Sequence, residues 1–381
     1  MKMKSLKWLM MLTLALTLIP WGFLQESNAA TSATPASIKE KEKVIIDADM
    51  GELNDDSITM FMLANAENVN VLGVTIVAGN TWAEEGTAYT LRQLELIKRT
   101  DIPVIVGAGE PLMGSRQTQL DAEQKIWGNS EYLGSYARQR PKSYLKLAAA
   151  PYGGYPTTKP LSDTTAVDFI IQQVKKYPNQ VTLFAIGPAT NIALAVKKNP
   201  EIVPLVKQII YMGGAIDIPG NTSPAAEFNW WFDPESIKIT LRTPFKRQIV
   251  VPNDVAERVY YNKSVYDRIV KMPETPIVKM FKDLQSERFA KNPKAEIFVW
   301  DAITAAIFLD PKIATKVESR YIDIDDTYGP NYGKSIGYHE SRNRDFNKPE
   351  NFPSGTQKVE IVFDIDREAF WNLYVKLMTK K

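Results

Sequence analysis

The sequence predicts an α/β protein built on an open, mostly parallel, Rossmann-like sheet with helices on both faces. Short β-branched runs alternate with helical patterns from Val44 to Thr243, the mark of βαβ units around a parallel sheet. Five of the six runs are followed by Gly, Asn or Asp, which suits a fold whose ligands bind beyond the carboxyl ends of its strands. The chain is 44% hydrophobic and has no Cys, so its core must supply the stability that a disulfide framework gives smaller exported domains.

In chain order, residues 1–29 read as a signal peptide: Lys2, Lys4 and Lys7, then the apolar run LMMLTLALTLIPWGF, then Ser27-Asn28-Ala29. Pro20 interrupts that run, which is short of the ~20 residues needed to span a bilayer. Export to the periplasm or the exterior is therefore expected, with no stable membrane anchor. Residues 30–43 read as a disordered leader, and residues 44–381 as one catalytic domain. Cleavage after Ala29 would remove Lys2, Lys4, Lys7 and Glu26 from the 46 basic and 44 acidic residues and leave the two signs equal. A neutral chain gives no reason to expect nucleic acid as a partner.

The six predicted strands are VII from Val44, VLGVTIVA from Val71, IPVIVGA from Ile102, VTLFAI from Val181, QIIYM from Gln208 and RQIVV from Arg247. Among the helices between them, AEEGTAYTLRQLELIKRT puts Leu91, Leu94 and Ile97 on one face. Residues 108–165, rich in Gly, Pro and Tyr, read as a long loop over the sheet edge. A helical pattern follows over Met272 to Lys291, and Trp300-Asp301 opens another in AITAAIFLD. Two further strands, KVESRYIDID and QKVEIVFDID, precede an amphipathic helix from Arg367.

The richest chemistry lies in VIIDADMGELNDDSITMFMLA, where an apolar strand runs into a carboxylate-rich loop and then a helix. Alternation sends Asp47 and Asp49 to one side of the strand end. Asp55 and Asp56 follow at a helix N-terminus, where negative charge is favoured. Four carboxylates this close repel one another unless a cation or a set of donors offsets them, and a hard, oxygen-seeking ion suits them. The ligand spacing and closing Glu of an EF-hand are missing.

This loop resembles the metal-binding motif of the nucleoside hydrolases, the inosine-uridine preferring nucleoside N-ribohydrolases. VAGN (from Val77), IGPATNIALAV (from Ile186), YMGGA (from Tyr211), GNTSPAAEFNWWFDPES (from Gly220) and WDAITAA (from Trp300) have counterparts there in the same order. The resemblance runs from about Val44 to Leu377. It departs at Glu52-Leu53-Asn54, a spacer two residues longer than the common form, and across the expanded 115–160 region.

The resemblance implies that Asp49, Asp56 and Asp301, with the backbone carbonyl of Ile186, bind Ca2+. It implies that Asp49 takes a proton from a water on that ion, and that the water then attacks the anomeric carbon of a nucleoside. The sugar would pass through an oxocarbenium-like state that nearby carboxylates stabilise. Asp55, Asn229 and Asp301 would meet the ribose 2′ and 3′ hydroxyls, Met212, Asn221 and Glu227 the 5′ end, and Asn80 would also line the pocket. Family members are usually dimers or tetramers, so a homo-oligomer is expected.

Departure of the base needs a proton or an equivalent, and the family's inosine-uridine type members use histidine. The single His of this chain, His339, is at neither family position. Trp300 and Trp127 stand there instead. In this respect the chain resembles the purine-specific branch, which stacks the base between aromatic rings and raises the basicity of N7. Purine nucleosides are the expected substrates, with Trp230 and Trp231 as further base-pocket candidates and Tyr132, Tyr136 and Tyr332 as undecided polar contacts. Two alternatives stay open: hydrolysis of another ribosyl or N-glycosyl compound, and nucleoside binding without turnover. The general acid, the particular purine, and ribose against deoxyribose are also open.

Overall fold

The computed structural model describes residues 40–128, 132–340 and 348–380. The expected signal peptide and nearly all of the expected leader lie outside these residues. No helix among the described residues is long and apolar enough to cross a membrane.

The chain runs through β1 (Glu42–Ala48), α1 (Asp55–Asn65), β2 (Val69–Ile76), α2 (Ala83–Leu96), β3 (Val104–Val106), α3 (Gln117–Trp127), α4 (Ala166–Lys176), β4 (Val181–Ala185), α5 (Thr190–Lys198) and β5 (Gln208–Met212). It continues through α6 (Phe228–Phe232), α7 (Pro234–Arg242), β6 (Gln248–Val251), α8 (Asn253–Ala256), β7 (Tyr260–Tyr261), α9 (Lys263–Val270), α10 (Pro276–Lys291), β8 (Ile297–Phe298), α11 (Ala302–Leu309), β9 (Ala314–Ile324), β10 (Ser335–Tyr338), β11 (Gln357–Ile365) and α12 (Arg367–Met378).

Nine strands form one sheet in the order β10-β9-β11-β6-β5-β4-β1-β2-β3. Pairing is parallel from β3 across to β11 and antiparallel at β11–β9 and β9–β10. The β3-β2-β1-β4-β5-β6 core is the Rossmann order, whose direction reverses between β1 and β4, where a crevice opens at the carboxyl ends. Alternation along β1 divides the core: Val44, Ile46 and Ala48 join the cluster under α1, α11 and α12, while Ile45 joins the cluster under α4, α5 and α7. Both faces are thus covered, as near-continuous apolar strands require.

The eight expected strands and the helices singled out are present; β10 is a ninth strand of the sheet that was not expected, and there are three further departures. First, β1 begins at Glu42, and Lys43 pairs with both Asn70 and Val181, so the leader gives way to sheet before Val44. Second, the expected loop over 108–165 contains α3, whose long unbranched and amide residues favour a helix and which buries Leu120 and Glu123. Third, β7 and β8 pair as a separate antiparallel ribbon around α9 and α10. Two residues per strand give no alternation to read.

Candidate active site

The carboxyl end of β1 delivers Asp49 between its two neighbouring strands. A Cβ on Gly79, beyond β2, would come within 2.1 Å of Asp49 Oδ2, and one on Gly187, beyond β4, within 2.6 Å of Oδ1. Glycine at these two strand ends is a requirement of close approach. The backbone N–H of Asn80 donates to Asp49 Oδ2 (2.5 Å), while Oδ1 is buried without a hydrogen-bond partner.

The lengthened spacer folds into the start of α1. Leu53 takes a positive φ of 49°, and the Asn54 side chain caps the helix by accepting from the backbone N–H of Ser57 (3.2 Å) and of Gly51 (3.1 Å). Its amide then donates to Asp56 Oδ2 (2.7 Å). The two extra residues therefore leave Asp55 and Asp56 in the first turn of α1. From the other side, the backbone N–H of Asp301, at the start of α11, points to Asp55 Oδ2 (3.4 Å).

Oxygens of Asp55, Asp56 and Asp301 lie within 4.8 Å of one another, and Asp49 and Asp56 stand within hydrogen-bonding reach. Burial pushes the Asp49 carboxyl up to about 7 and the Asp55 carboxyl up to about 6. Burial and then the neighbouring carboxylates lift Asp56 and Asp301 well above the ordinary range. A metal ion fits this site: Asp49, Asp56 and Asp301 each keep a buried Oδ1 with no partner, and a cation among them removes the repulsion that raises their pKa values. The Ile186 carbonyl, just past β4, accepts from Asn229 Nδ2 (3.1 Å), which leaves its second lone pair for another partner.

A narrow cleft continues from these carboxylates, lined by Met212, Asn221, Glu227, Asn229, Asn80 and Tyr132. Glu227 caps α6, with Oε1 accepting from the Asn229 N–H and Oε2 from those of Trp230 and Gly214. Burial outweighs these bonds and pushes its carboxyl up to about 7. Asn221 Oδ1 accepts from the Phe228 N–H (2.9 Å). The turn that precedes Asp233-Pro234 is thus both a helix start and a wall of the cleft.

Asp55, Asn80, Tyr132 and Trp300 also line a second, more open cavity of about 480 Å3. Trp300 stacks on Phe298 of β8, with centroids 4.7 Å apart and planes at 13°. Phe281 of α10 and Tyr261 of β7 add aromatic wall. Three polar atoms on this lining are buried without partners: Trp300 Nε1, Tyr261 Oη and Gln285 Oε1.

The structure brings Asp49, Asp55, Asp56, Asn80, Ile186, Met212, Asn221, Glu227, Asn229, Trp300 and Asp301 into one region, but not Trp127. That residue ends α3, is 40% exposed and lines neither cavity. Trp230 and Trp231 are core residues, at 0% and 1% exposure. The Trp231 indole donates to Glu123 Oε2 (2.7 Å) and lies under the Arg116 guanidinium. His339 is exposed and outside both cavities. Sequence reasoning missed Asn54, although an Asn just before a helix is a capping signal. It also missed Phe298, two residues before Trp300, whose ring stacks on it.

Comparison with known proteins identifies the family. The family model described as inosine-uridine preferring nucleoside hydrolase matches residues 44–372. A probable uridine nucleosidase 1 from Oryza sativa subsp. japonica is 36% identical over 199 residues, 52% of this chain and 55% of that protein. The pyrimidine-specific ribonucleoside hydrolase RihB of Escherichia coli O9:H4 is 28% identical over 338 residues, 88% of this chain and 96% of its own length. The solved plant nucleoside hydrolase PpNRh1 superimposes with a TM-score of 0.73 at 26% identity, covering 89% of this chain and 99% of that one. The chain belongs to the inosine-uridine preferring nucleoside hydrolase family and is an N-glycosyl hydrolase acting on nucleosides.

Proposed function

We propose that this enzyme is a calcium-dependent ribonucleoside hydrolase, exported from the cytoplasm, that prefers purine nucleosides. The observation that carries the reading is the junction of the two cavities at Asp55, Asn80, Tyr132 and Trp300. A ribose among the carboxylates then has its base against the Trp300–Phe298 stack. The carboxylates with free oxygens offer all-oxygen ligation, which suits Ca2+. A bound calcium ion would be held by Asp49, Asp56, Asp301 and the Ile186 carbonyl, and it supplies Lewis acidity that lowers the pKa of water.

Asp49 accepts the proton of the attacking water, while the Asn80 N–H holds its Oδ2. Asp55, Asp301 and Asn229 bind the 2′ and 3′ hydroxyls, and Met212, Asn221 and Glu227 border the 5′ end. As the glycosidic bond breaks, the buried carboxylates stabilise positive charge on the sugar. The base departs into a cavity with no histidine on its lining. A purine can take its proton at N7 from solvent, which a pyrimidine cannot do, and this supports the purine preference.

The names of the Escherichia coli and rice relatives favour a second reading, pyrimidine nucleosides. Base release from inosine, adenosine, guanosine, uridine and cytidine, with and without a chelator, separates the two. Uridine turnover equal to or above inosine turnover removes the purine preference. Activity that survives exhaustive chelation removes the calcium. Light scattering of the purified enzyme tests the dimer or tetramer proposed with it, and fractionation of the native host tests export.

A further inference from the structure

The expanded 115–160 region carries a segment that docks directly on the catalytic strand ends. The Ser135 N–H donates to the Gly79 carbonyl (2.8 Å). Arg138 Nη2 donates to the Asn80 carbonyl (2.8 Å), and its Nε to the carboxylate of Glu85 (3.0 Å). Thr222 Oγ1 donates to the Tyr132 carbonyl (2.8 Å), and the Tyr132 ring meets Phe228 edge-on at 4.8 Å. Tyr132 is thereby held on the wall that the two cavities share.

The Tyr132 hydroxyl donates to Asn80 Oδ1. Burial lifts the Tyr132 phenol above its ordinary range, so it keeps its proton at neutral pH and donates it to the amide oxygen of Asn80, with the amide nitrogen facing the other way. That nitrogen, Nδ2, lies 3.5 Å from Asp56 Oδ2, and the backbone N–H of the same residue holds Asp49. The flipped amide would set its oxygen against a carboxylate oxygen, a repulsion in a buried site. The Tyr132 hydroxyl and the Asp56 carboxylate together select this orientation, since the oxygen and nitrogen ends of an amide are nearly the same size.

We propose that Tyr132 is a positioning residue of the hydrolytic site: its hydroxyl orients the Asn80 amide, and through Asn80 it fixes the carboxylates of Asp49 and Asp56. The proposal rests on the hydrolase reading of those carboxylates, and it gives the expanded region a part in catalysis. Tyr132 acts through Asn80, so its loss lowers turnover and cation affinity together.

The test is Tyr132→Phe, which keeps the ring on Phe228 and removes the hydroxyl. Expected are a fall in kcat of about ten-fold with KM within about three-fold, an unchanged thermal midpoint of the metal-stripped protein, and at least three-fold weaker Ca2+ binding by calorimetry. In an Asn80→Ala background, Tyr132→Phe is expected to add less than two-fold. Wild-type kinetics and Ca2+ affinity in Tyr132→Phe would overturn the proposal, as would full additivity with Asn80→Ala. Failure of the wild-type enzyme to release base from any nucleoside would instead remove the hydrolase reading beneath it.

Discussion

The two cavities that meet at Trp300 are built in opposite ways. The carboxylate cleft hangs on the ends of β1, β4 and β5 and the starts of α1, α6 and α11, so sheet register and helix caps fix its atoms. The base cavity is walled by the short β7–β8 ribbon, α10 and the loop between β1 and α1, which are elements outside the nine-stranded sheet. The first is a rigid polar centre and the second an aromatic annex that different side chains can fill. On the function proposed above, chemistry belongs to one cavity and substrate choice to the other.

The largest effect expected of that division is at Asp49. Asp49→Asn should lower kcat by about 10² to 10⁴-fold, the usual share of a positioned general base, and leave the fold intact. Activity within ten-fold of wild type would take the proton-accepting role from Asp49. Next comes the cation. Ca2+ at 100 times its Kd should add about 2.7 kcal/mol to stability, read as a rise in Tm over the chelated enzyme.

The pH dependence of that rise has a definite sign. Burial raises Asp49 from 3.8 to about 7 and Asp55 from 3.8 to about 6. Without metal, these groups contribute stability that is fully present below about pH 4 and is lost as pH rises through those values, because the folded protein holds the extra protons. Calcium displaces the protons. Its stabilisation should thus be small near pH 4 and largest above about pH 7, and a Tm shift that is flat across this range would exclude Asp49 as a ligand.

In the base cavity the effects should be smaller and should depend on substrate. Trp300→Ala is expected to cut kcat/KM for inosine about ten-fold, the order of one aromatic contact, with a smaller loss for uridine. An equal loss for both bases would show that Trp300 serves the centre and not the annex. The smallest effect is expected at exposed Trp127, where Trp127→Ala should change stability by less than about 0.5 kcal/mol and kcat/KM by less than two-fold. A large rise in KM would return Trp127 to the base pocket.

Legibility in the sequence follows the same division. Asp49, Asp55, Asp56 and Asp301 stand out because buried acids at strand and helix ends are rare without a task, and the six parallel strands stand out because their β-branched runs are separated by helices. The base cavity was harder to see. Tyr261, Phe281 and Phe298 have the same composition as core aromatics, and only the pairing of β7 with β8 turns them toward one space. Trp230 and Trp231 show the converse error: their place beside Glu227 and Asn229 suggested a base contact, but α6 directs them into the interior. Tyr132 could not be chosen over Tyr136 or Tyr332 until the loop around it was seen docked on the end of β2.

The glycines on either side of Asp49 have a consequence for how such an enzyme can change over evolutionary time. A methyl group on either Gly79 or Gly187 would collide with the same carboxylate, so neither strand end accepts a side chain. The annex has no such constraint. A change of side chain on α10 or the β7–β8 ribbon reshapes the open cavity without touching the atoms packed around Asp49.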